Sequence, residues 1–408
     1  MSTDYLPETK ENFVLTCGSG EQIGHGPRIT TKKPRMIEEL FLGTVIDIAA
    51  GGVHSVVLTN NGELYSCGIN ENGTIPIDDP LNNNCDSINT FTKLFFDEEI
   101  KAHGKIVSIV AGASFTASLT DQGSVLTWGD FRDGGGEMEN HKIFDKLRNR
   151  VNVLVDSSKG YNIIKIAAGE NHLICLSNKG RVNGRYPSRG GAFYRDSSGE
   201  NIKVPNIIIK GKDIRFENIF AGGYWSMAVD KNGDVYVCGL NNFDQLGFPA
   251  STGENCDNRF MSFKKSPIFT KKGLKITHAC GTQHIVVRYD NGDVYSIGKN
   301  IDNALGVGSW KGKNDEVNWK SSKLNKIKFS QKIAGITAAY GCSIAWDVNG
   351  NAWAWGSDTS GQLGLGIKDD DDKMVPKPKK IVSKHLIGKK ILKVSIADNH
   401  SIFLATDA

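Results

Sequence analysis

Apolar and polar residues alternate along most of the chain in short runs, and the runs come in pairs. In Ile285-Val286-Val287-Arg288-Tyr289-Asp290-Asn291-Gly292-Asp293-Val294-Tyr295, two alternating segments flank an Asn-Gly step. Alternation with period two marks half-buried strands, and Asn-Gly supplies the positive backbone angles of a two-residue hairpin turn. The same pattern surrounds Gly62, Gly123, Gly180, Gly233 and Gly350, each preceded by Asn, Gln or Lys. Pairs of antiparallel strands are therefore expected at each place.

These pairs keep a strict register. Eight residues before each hairpin glycine stands one residue of a recurring Gly-x-x-His phrase, seen in Gly51-Gly52-Val53-His54, Gly169-Glu170-Asn171-His172 and Gly281-Thr282-Gln283-His284. Its anchor positions are His54, Phe115, His172, Trp225, His284, Cys342 and His400, with a mean spacing near 58 residues. A further glycine fourteen residues after the anchor, at 68, 129, 239, 298 and 356, ends the second strand, and Gln245-Leu246-Gly247 and Gln362-Leu363-Gly364 follow it.

One small sheet cannot bury both of its faces, so repeated sheets of this size are expected to pack radially as propeller blades. Phe13-Val14-Leu15-Thr16-Cys17-Gly18 and Gln22-Ile23-Gly24 read as the second half of a unit, and Ile396 to Leu404 as a first half. Joined, they complete a blade and protect edges that an open array exposes. The expectation is an all-β, seven-bladed β-propeller of about 58-residue repeats, closed by its terminal strands. It forms a single domain over residues 1–408, with 1–12 as a flexible tail.

Composition narrows the function classes. The 408 residues carry 49 basic and 45 acidic side chains, a net charge of +4, which argues against disorder and against strong nonspecific DNA binding. No stretch has the roughly 20 uncharged apolar residues of a membrane helix, and Met1-Ser2-Thr3-Asp4 lacks a signal-peptide pattern, so no membrane partner is expected. The eight cysteines form no C-x-x-C pair; Cys17, Cys67 and Cys238, each before a glycine, read as core filler. Gly306 to Lys313 is one residue too long for a phosphate loop and is followed by Asn314 where Ser or Thr is required. Asp369 to Asp372 are consecutive and flanked by lysines, an exposed loop rather than a cation site. No cofactor, no metal and no covalent chemistry are expected.

The repeat, with its Gly-x-x-His phrase, hairpin glycine and Gln-Leu-Gly, resembles the regulator of chromosome condensation family over nearly the whole chain. Because that repeat serves many functions, two non-repeat segments narrow the reading. Trp128-Gly129-Asp130-Phe131-Arg132-Asp133-Gly134-Gly135-Gly136 stands where Gln-Leu-Gly normally follows and is similar to the family's β-wedge. Arg185-Tyr186-Pro187-Ser188-Arg189-Gly190-Gly191, with Arg195 beyond, is similar to its long switchback loop. Gly239 to Gly247 and Arg215-Phe216-Glu217-Asn218 carry the same resemblance.

The resemblance implies a guanine-nucleotide exchange factor for the small GTPase Ran, not an enzyme. It implies that Phe131, Arg132, Asp133, Gly134 and Gly135 form a wedge beside the GTPase phosphate loop, the alternative being an ordinary exposed loop. It places His54, His284 and His400 on the GTPase-facing side, although residues recurring by register also read as structural. Asn242, Arg185 and Asn171 fall on or near that face. Two positions depart from the family pattern: acidic residues implicated in exchange are matched here by Ala113 and Asn171. A lost carboxylate contact removes roughly 1.5 to 3 kcal/mol. The alternative is thus an interaction scaffold with weak or lost exchange.

A second implied partner is chromatin. Arg189 and Arg195 remain as arginines for the nucleosome acidic patch, whereas the first thirteen residues hold one Lys against three Asp or Glu and lack a basic DNA-binding tail. Weak or no direct DNA contact is expected, with a nuclear, chromatin-associated location and the cytoplasm left open by the missing tail. Lys32-Lys33-Pro34-Arg35 and Lys377-Pro378-Lys379-Lys380 read as solvated loops or as import signals. The third unit, which has Tyr186 where the fourteenth-residue glycine belongs, is expected to lack a strand after Gly180.

Overall fold

A computed structural model describes residues 12–38, 41–70, 73–77, 86–130, 151–160, 162–185, 214–251 and 258–408. The hairpins form where the alternation places them, but their turns are longer than expected. Thr59 N donates to Glu63 O and Gly62 N to Thr59 O, so Asn60-Asn61-Gly62 make a three-residue loop in which only the glycine has a left-handed φ, +83°. The hairpins at Gly123, Gly180, Gly233, Gly292 and Gly350 repeat this bonding. The expected two-residue turn is therefore corrected: Asn precedes the strained position and the glycine occupies it.

Each unit folds into one antiparallel sheet. The first comprises Val45–Ala50, His54–Thr59, Leu64–Ile69 and Ser87–Lys93; the second Ile106–Ala111, Ser114–Thr120, Val125–Asp130 and Asn152–Val155. The fourth runs from Phe216–Ala221 through Trp225–Asp230 and Val235–Leu240 to Arg259–Lys265. The fifth holds Ile276–Cys280, His284–Tyr289, Val294–Lys299 and Lys320–Ile327. The sixth holds Ile333–Ala338, Cys342–Asp347, Ala352–Ser357 and Met374–Lys380. A closing sheet pairs Asn12–Ser19 with His400–Asp407, flanked by Thr30–Met36 and Lys389–Ile396.

The third sheet departs from this plan. It contains Ile163–Ala168, Leu173–Ser177 and Val182–Arg185, three strands among the described residues. The expectation of seven blades is thereby corrected to a propeller of six complete four-stranded blades, with one three-stranded sheet between the second and fourth. The missing strand is also not the one expected: Val182–Arg185 is present and pairs with Leu173–Leu176, and it is the outer strand that is lacking among the described residues. In the complete sheets a glycine stands opposite the anchor, and Tyr186 holds the corresponding place in this sequence.

Packing closes the ring. Leu58, Ile106 and Trp128 join the first and second sheets, Phe115 and Leu173 the second and third, and Ile174, Ile219 and Tyr236 the third and fourth. Trp225, Phe269 and Ile285 join the fourth and fifth, and Trp355, Ile344 and Phe403 carry the core onward to the closing sheet. Val14 and Leu404 then meet Val45 and Ile48 of the first. Cys17, Cys67 and Cys238 are buried in these layers.

The register glycines are required by close approach. Gly68 pairs with His54 at φ +128°, and a Cβ there would lie 2.3 Å from Val53 O and 2.6 Å from His54 Cα. The phrase glycine makes room for the anchor ring, since a Cβ on Gly51 would sit 2.3 Å from His54 Cε1. Among the described residues no helix is long and apolar enough to cross a membrane.

Candidate functional site

The turns that precede the anchors are stitched side by side at one end of the ring. Val53 N donates to Ala113 O, Ala113 N to Glu170 O, Glu170 N to Gly223 O and Gly223 N to Gly281 O, each 2.7 to 3.2 Å. These backbone bonds fix five successive turns relative to one another before any side chain is considered.

Beneath the turns lie the anchor histidines. His400 Nε2 is 2.8 Å from Ser55 Oγ, His54 Nε2 is 2.7 Å from Thr116 Oγ1, His172 Nε2 is 3.0 Å from Ser226 Oγ and His284 Nε2 is 3.0 Å from Ser343 Oγ. In every case the hydroxyl follows the anchor of the next sheet. Desolvation lowers His54 and His284 to about 4 and His172 and His400 to about 3, so all four are neutral struts at neutral pH. His54 and His400 are fully buried. These rings hold the face from below, and His284 reaches the floor of a surface cavity.

The face itself carries two carboxylates that sequence reasoning missed. Glu170 accepts from Thr282 Oγ1 at 3.2 Å and from the Tyr224 hydroxyl; burial raises its carboxyl above the usual range, and the Asp398 charge raises it further. Asp398, exposed at the cavity mouth, accepts from Tyr340 N at 3.2 Å, and desolvation by the surrounding groups raises its carboxyl too. Neither makes a salt bridge among the described residues. Tyr224 and Tyr340, 39% and 47% exposed, rim the site, and burial together with Glu170 pushes the Tyr224 hydroxyl up.

The cavity beside Asp398 has a volume of about 320 Å³ and is lined by Gln283, Lys299, Asp302, Tyr340, Gln362 and Asn399 among others. Lys299 Nζ donates to Gln283 Oε1 at 2.7 Å and to the Tyr340 hydroxyl at 3.2 Å, and lies over the rings of Phe243 and Tyr340. Asn242, next to Phe243, is exposed. Gln245 and Gln362 bond the backbone of their own loops, which makes Gln-Leu-Gly a structural device.

Ala113 contributes only its backbone to the stitching, and Asn171 is half-buried with a buried Oδ1 that has no hydrogen-bond partner. Its neighbour in the chain, Glu170, is a carboxylate. Reading the column two residues before each anchor (Gly52, Ala113, Glu170, Gly223, Thr282, Tyr340, Asp398) would have found both acids. Phe131, Arg132, Asp133, Gly134, Gly135, Arg189 and Arg195 lie outside the described residues, and for Arg185 only the backbone strand is described. The chain leaves the second sheet at Asp130, opposite Ser114, and the third at Arg185, opposite Leu173. Both non-repeat segments thus start from the end of the ring that carries the carboxylates.

A family model described as RCC1-like domain matches residues 13–403. The regulator of chromosome condensation of Mus musculus is 29% identical, over 98% of this chain and 92% of the mouse protein. That of Xenopus laevis is 30% identical, over 96% of this chain and 89% of its own length. Among solved structures, Prp20p from Saccharomyces cerevisiae, described with its binding properties to Gsp1p and histones, superposes with a TM-score of 0.82 at 22% identity. The superposition covers 98% of this chain and 92% of the yeast chain.

Proposed function

The chain belongs to the RCC1-like domain family, and from that premise we propose that it promotes nucleotide release from a small GTPase of the Ran type, working from the stitched end of the propeller. The observation that carries this reading is the pair Glu170 and Asp398, two carboxylates that make no salt bridge among the described residues, framed by exposed tyrosines. A recess of this kind accepts basic side chains of a partner and steers their approach. The Gsp1p binding described for the yeast neighbour supports the same choice of partner.

No covalent step is involved. An exchange factor binds the empty GTPase more tightly than the nucleotide-bound form, and the coupling is reciprocal, so tight nucleotide in turn expels the factor. In this reading, residues Phe131 to Gly135, which follow Asp130 from the same end, act as the wedge against the phosphate loop, where small displacements disturb the nucleotide's oxyanion contacts. Asn242, Asn171 and Arg185 flank the contact, with His54, His284 and His400 fixing the turns beneath it. Arg189 and Arg195 are assigned to a carboxylate-lined nucleosome surface, which would place the protein on chromatin in the nucleus; the histone binding described for the yeast neighbour supports this.

Arg132→Ala combined with Asp133→Ala tests the wedge. Exchange is expected to fall at least about tenfold, while stability shifts by no more than about 0.5 kcal/mol, as for exposed positions. A large drop in the melting midpoint would make the segment structural and remove it from the mechanism. The second reading, a scaffold without exchange, is favoured by the uncharged Ala113 and Asn171.

A further inference from the structure

The two basic runs of the sequence lie on the outer strands of neighbouring sheets. Lys32-Lys33-Pro34-Arg35 lies in the outer strand Thr30–Met36 of the closing sheet, and Lys377-Pro378-Lys379-Lys380 in the outer strand Met374–Lys380 of the sixth. Between the closing strand and the segment that follows Lys380 is a groove of about 350 Å³. Its walls are Thr31, Lys33, Arg35, Ser383, Lys384 and His385, with Pro34 as its floor, and among the described residues no carboxylate lines it.

Elsewhere the same outer-strand lysine is neutralised. Lys93, Lys265 and Lys326 stand opposite Tyr65, Tyr236 and Tyr295, and each pairs with the acid that follows its hairpin glycine: Glu63 at 2.5 Å, Asp234 at 2.5 Å and Asp293 at 2.8 Å. Lys380 holds this register opposite Trp353, but the residue after Gly350 is Asn351, whose amide is turned to Asp347 at 3.2 Å. The sheet that borders the groove is therefore the one in which the repeat's ion pair has lost its acid. Lys33 and Lys384 have no ion-pair partner among the described residues, and Arg35 reaches only Glu38, at 3.7 Å and in solvent.

The groove is held rigidly. Ser383 Oγ donates to Pro34 O at 2.5 Å, tying one wall to the floor. A Cβ on Gly366, which has φ +72°, would lie 2.3 Å from Lys33 Cε, and Gly366 N donates to Lys32 O, so the lysine stem is packed along backbone. The positive field is felt by neighbouring imidazoles. After desolvation, Arg35 contributes to lowering His25 to about 4, and Lys384 and Arg35 lower His385 against the opposing charge of Glu38.

We infer that this rim groove is a binding site for a compact, soluble phosphate ester carrying several phosphate groups, held between Lys33, Arg35 and Lys384. Three cations around one concavity match clustered phosphate charge, and the guanidinium fork suits phosphate oxygens. An extended nucleic acid fits less well, since Asp369 to Asp372 stand exposed beside Lys32, which is paired with Asp369 at 2.5 Å, and would repel a backbone running along the rim. Among the described residues no Phe, Tyr or Trp ring lines the groove for a base to stack on; His385 is its one ring.

The test is calorimetric titration of the full chain with inositol hexakisphosphate at physiological salt. Saturable binding is expected, weakened at least tenfold by Lys33→Ala with Lys384→Ala and unchanged by Lys93→Ala, which removes a paired lysine of the same register. Asn351→Asp, which touches no groove residue but restores the missing acid, is expected to weaken binding severalfold. Absence of saturable binding, equal loss with Lys93→Ala, or full competition by duplex DNA at equal phosphate concentration would overturn the assignment.

Discussion

Replacing Glu170 by Gln together with Asp398 by Asn is expected to slow catalysed release of GDP from Ran at least about a hundredfold without lowering the melting temperature. Each carboxylate offers one charge-assisted contact, worth roughly 1.5 to 3 kcal/mol, and two such losses reach that range. Stability is expected to hold or rise, because desolvation raises both carboxyls and their ionised forms are therefore disfavoured in the folded ring. A site that is electrostatically uncomfortable alone and relieved by a cationic partner is the usual signature of function set against stability. Stopped-flow release rates measured against ionic strength separate the outcomes. The unaltered protein should slow steeply with salt and the double variant should not; equal rates and equal salt slopes would mean that these acids do not meet the GTPase.

Asp358→Asn is expected to stabilise the protein by up to about 3 kcal/mol above pH 6 and to have no effect near pH 3. The reason lies in the repeat register. Asn70, Asn241 and Asn300 each accept from the backbone N–H five residues on, and Asn241 and Asn300 use their amide nitrogen to bond a loop carbonyl. In the sixth sheet Asp358 accepts likewise from Leu363 N at 2.8 Å, but its buried Oδ2 stands where the amide nitrogen would be and has no partner. Burial raises this carboxyl from 3.8 to about 6. A raised acid binds its proton more tightly folded than unfolded, so stability is lost as pH climbs from about 4 to about 6 and the loss is constant above. Histidines 54, 172, 284 and 400 act in the opposite sense, since their lowered values cost stability as pH falls below 6.5. Urea midpoints of the two proteins compared across pH 3 to 8 isolate the Asp358 contribution; parallel profiles would exclude it.

The repeat is legible because its landmarks are steric. Gly68 and Gly51 cannot carry a side chain without striking the anchor, so the phrase and its fourteen-residue partner survive at fixed spacing and reveal both strands and ring closure. The turn type is less legible, since Asn-Gly is common to two-residue turns and to the three-residue loops found here. The short strand Val182–Arg185 escapes notice because it has one apolar residue and no terminal glycine. The histidines stand out, but a recurring polar residue does not declare whether it faces solvent or a hydroxyl on the next sheet. Glu170 and Asp398 are hidden for a different reason: they are two scattered acids in a column otherwise filled by Gly, Ala, Thr and Tyr, and only the folded ring brings them to one face.

The measurement that bears most directly on exchange is release of fluorescent GDP from Ran with catalytic amounts of the full chain, beside an unrelated small GTPase. Acceleration confined to Ran is the expected result, and it would show that Ala113 and Asn171 are tolerated when Glu170 and Asp398 are present. No acceleration, with no detectable complex with nucleotide-free Ran, would contradict the exchange function and leave the propeller as a scaffold.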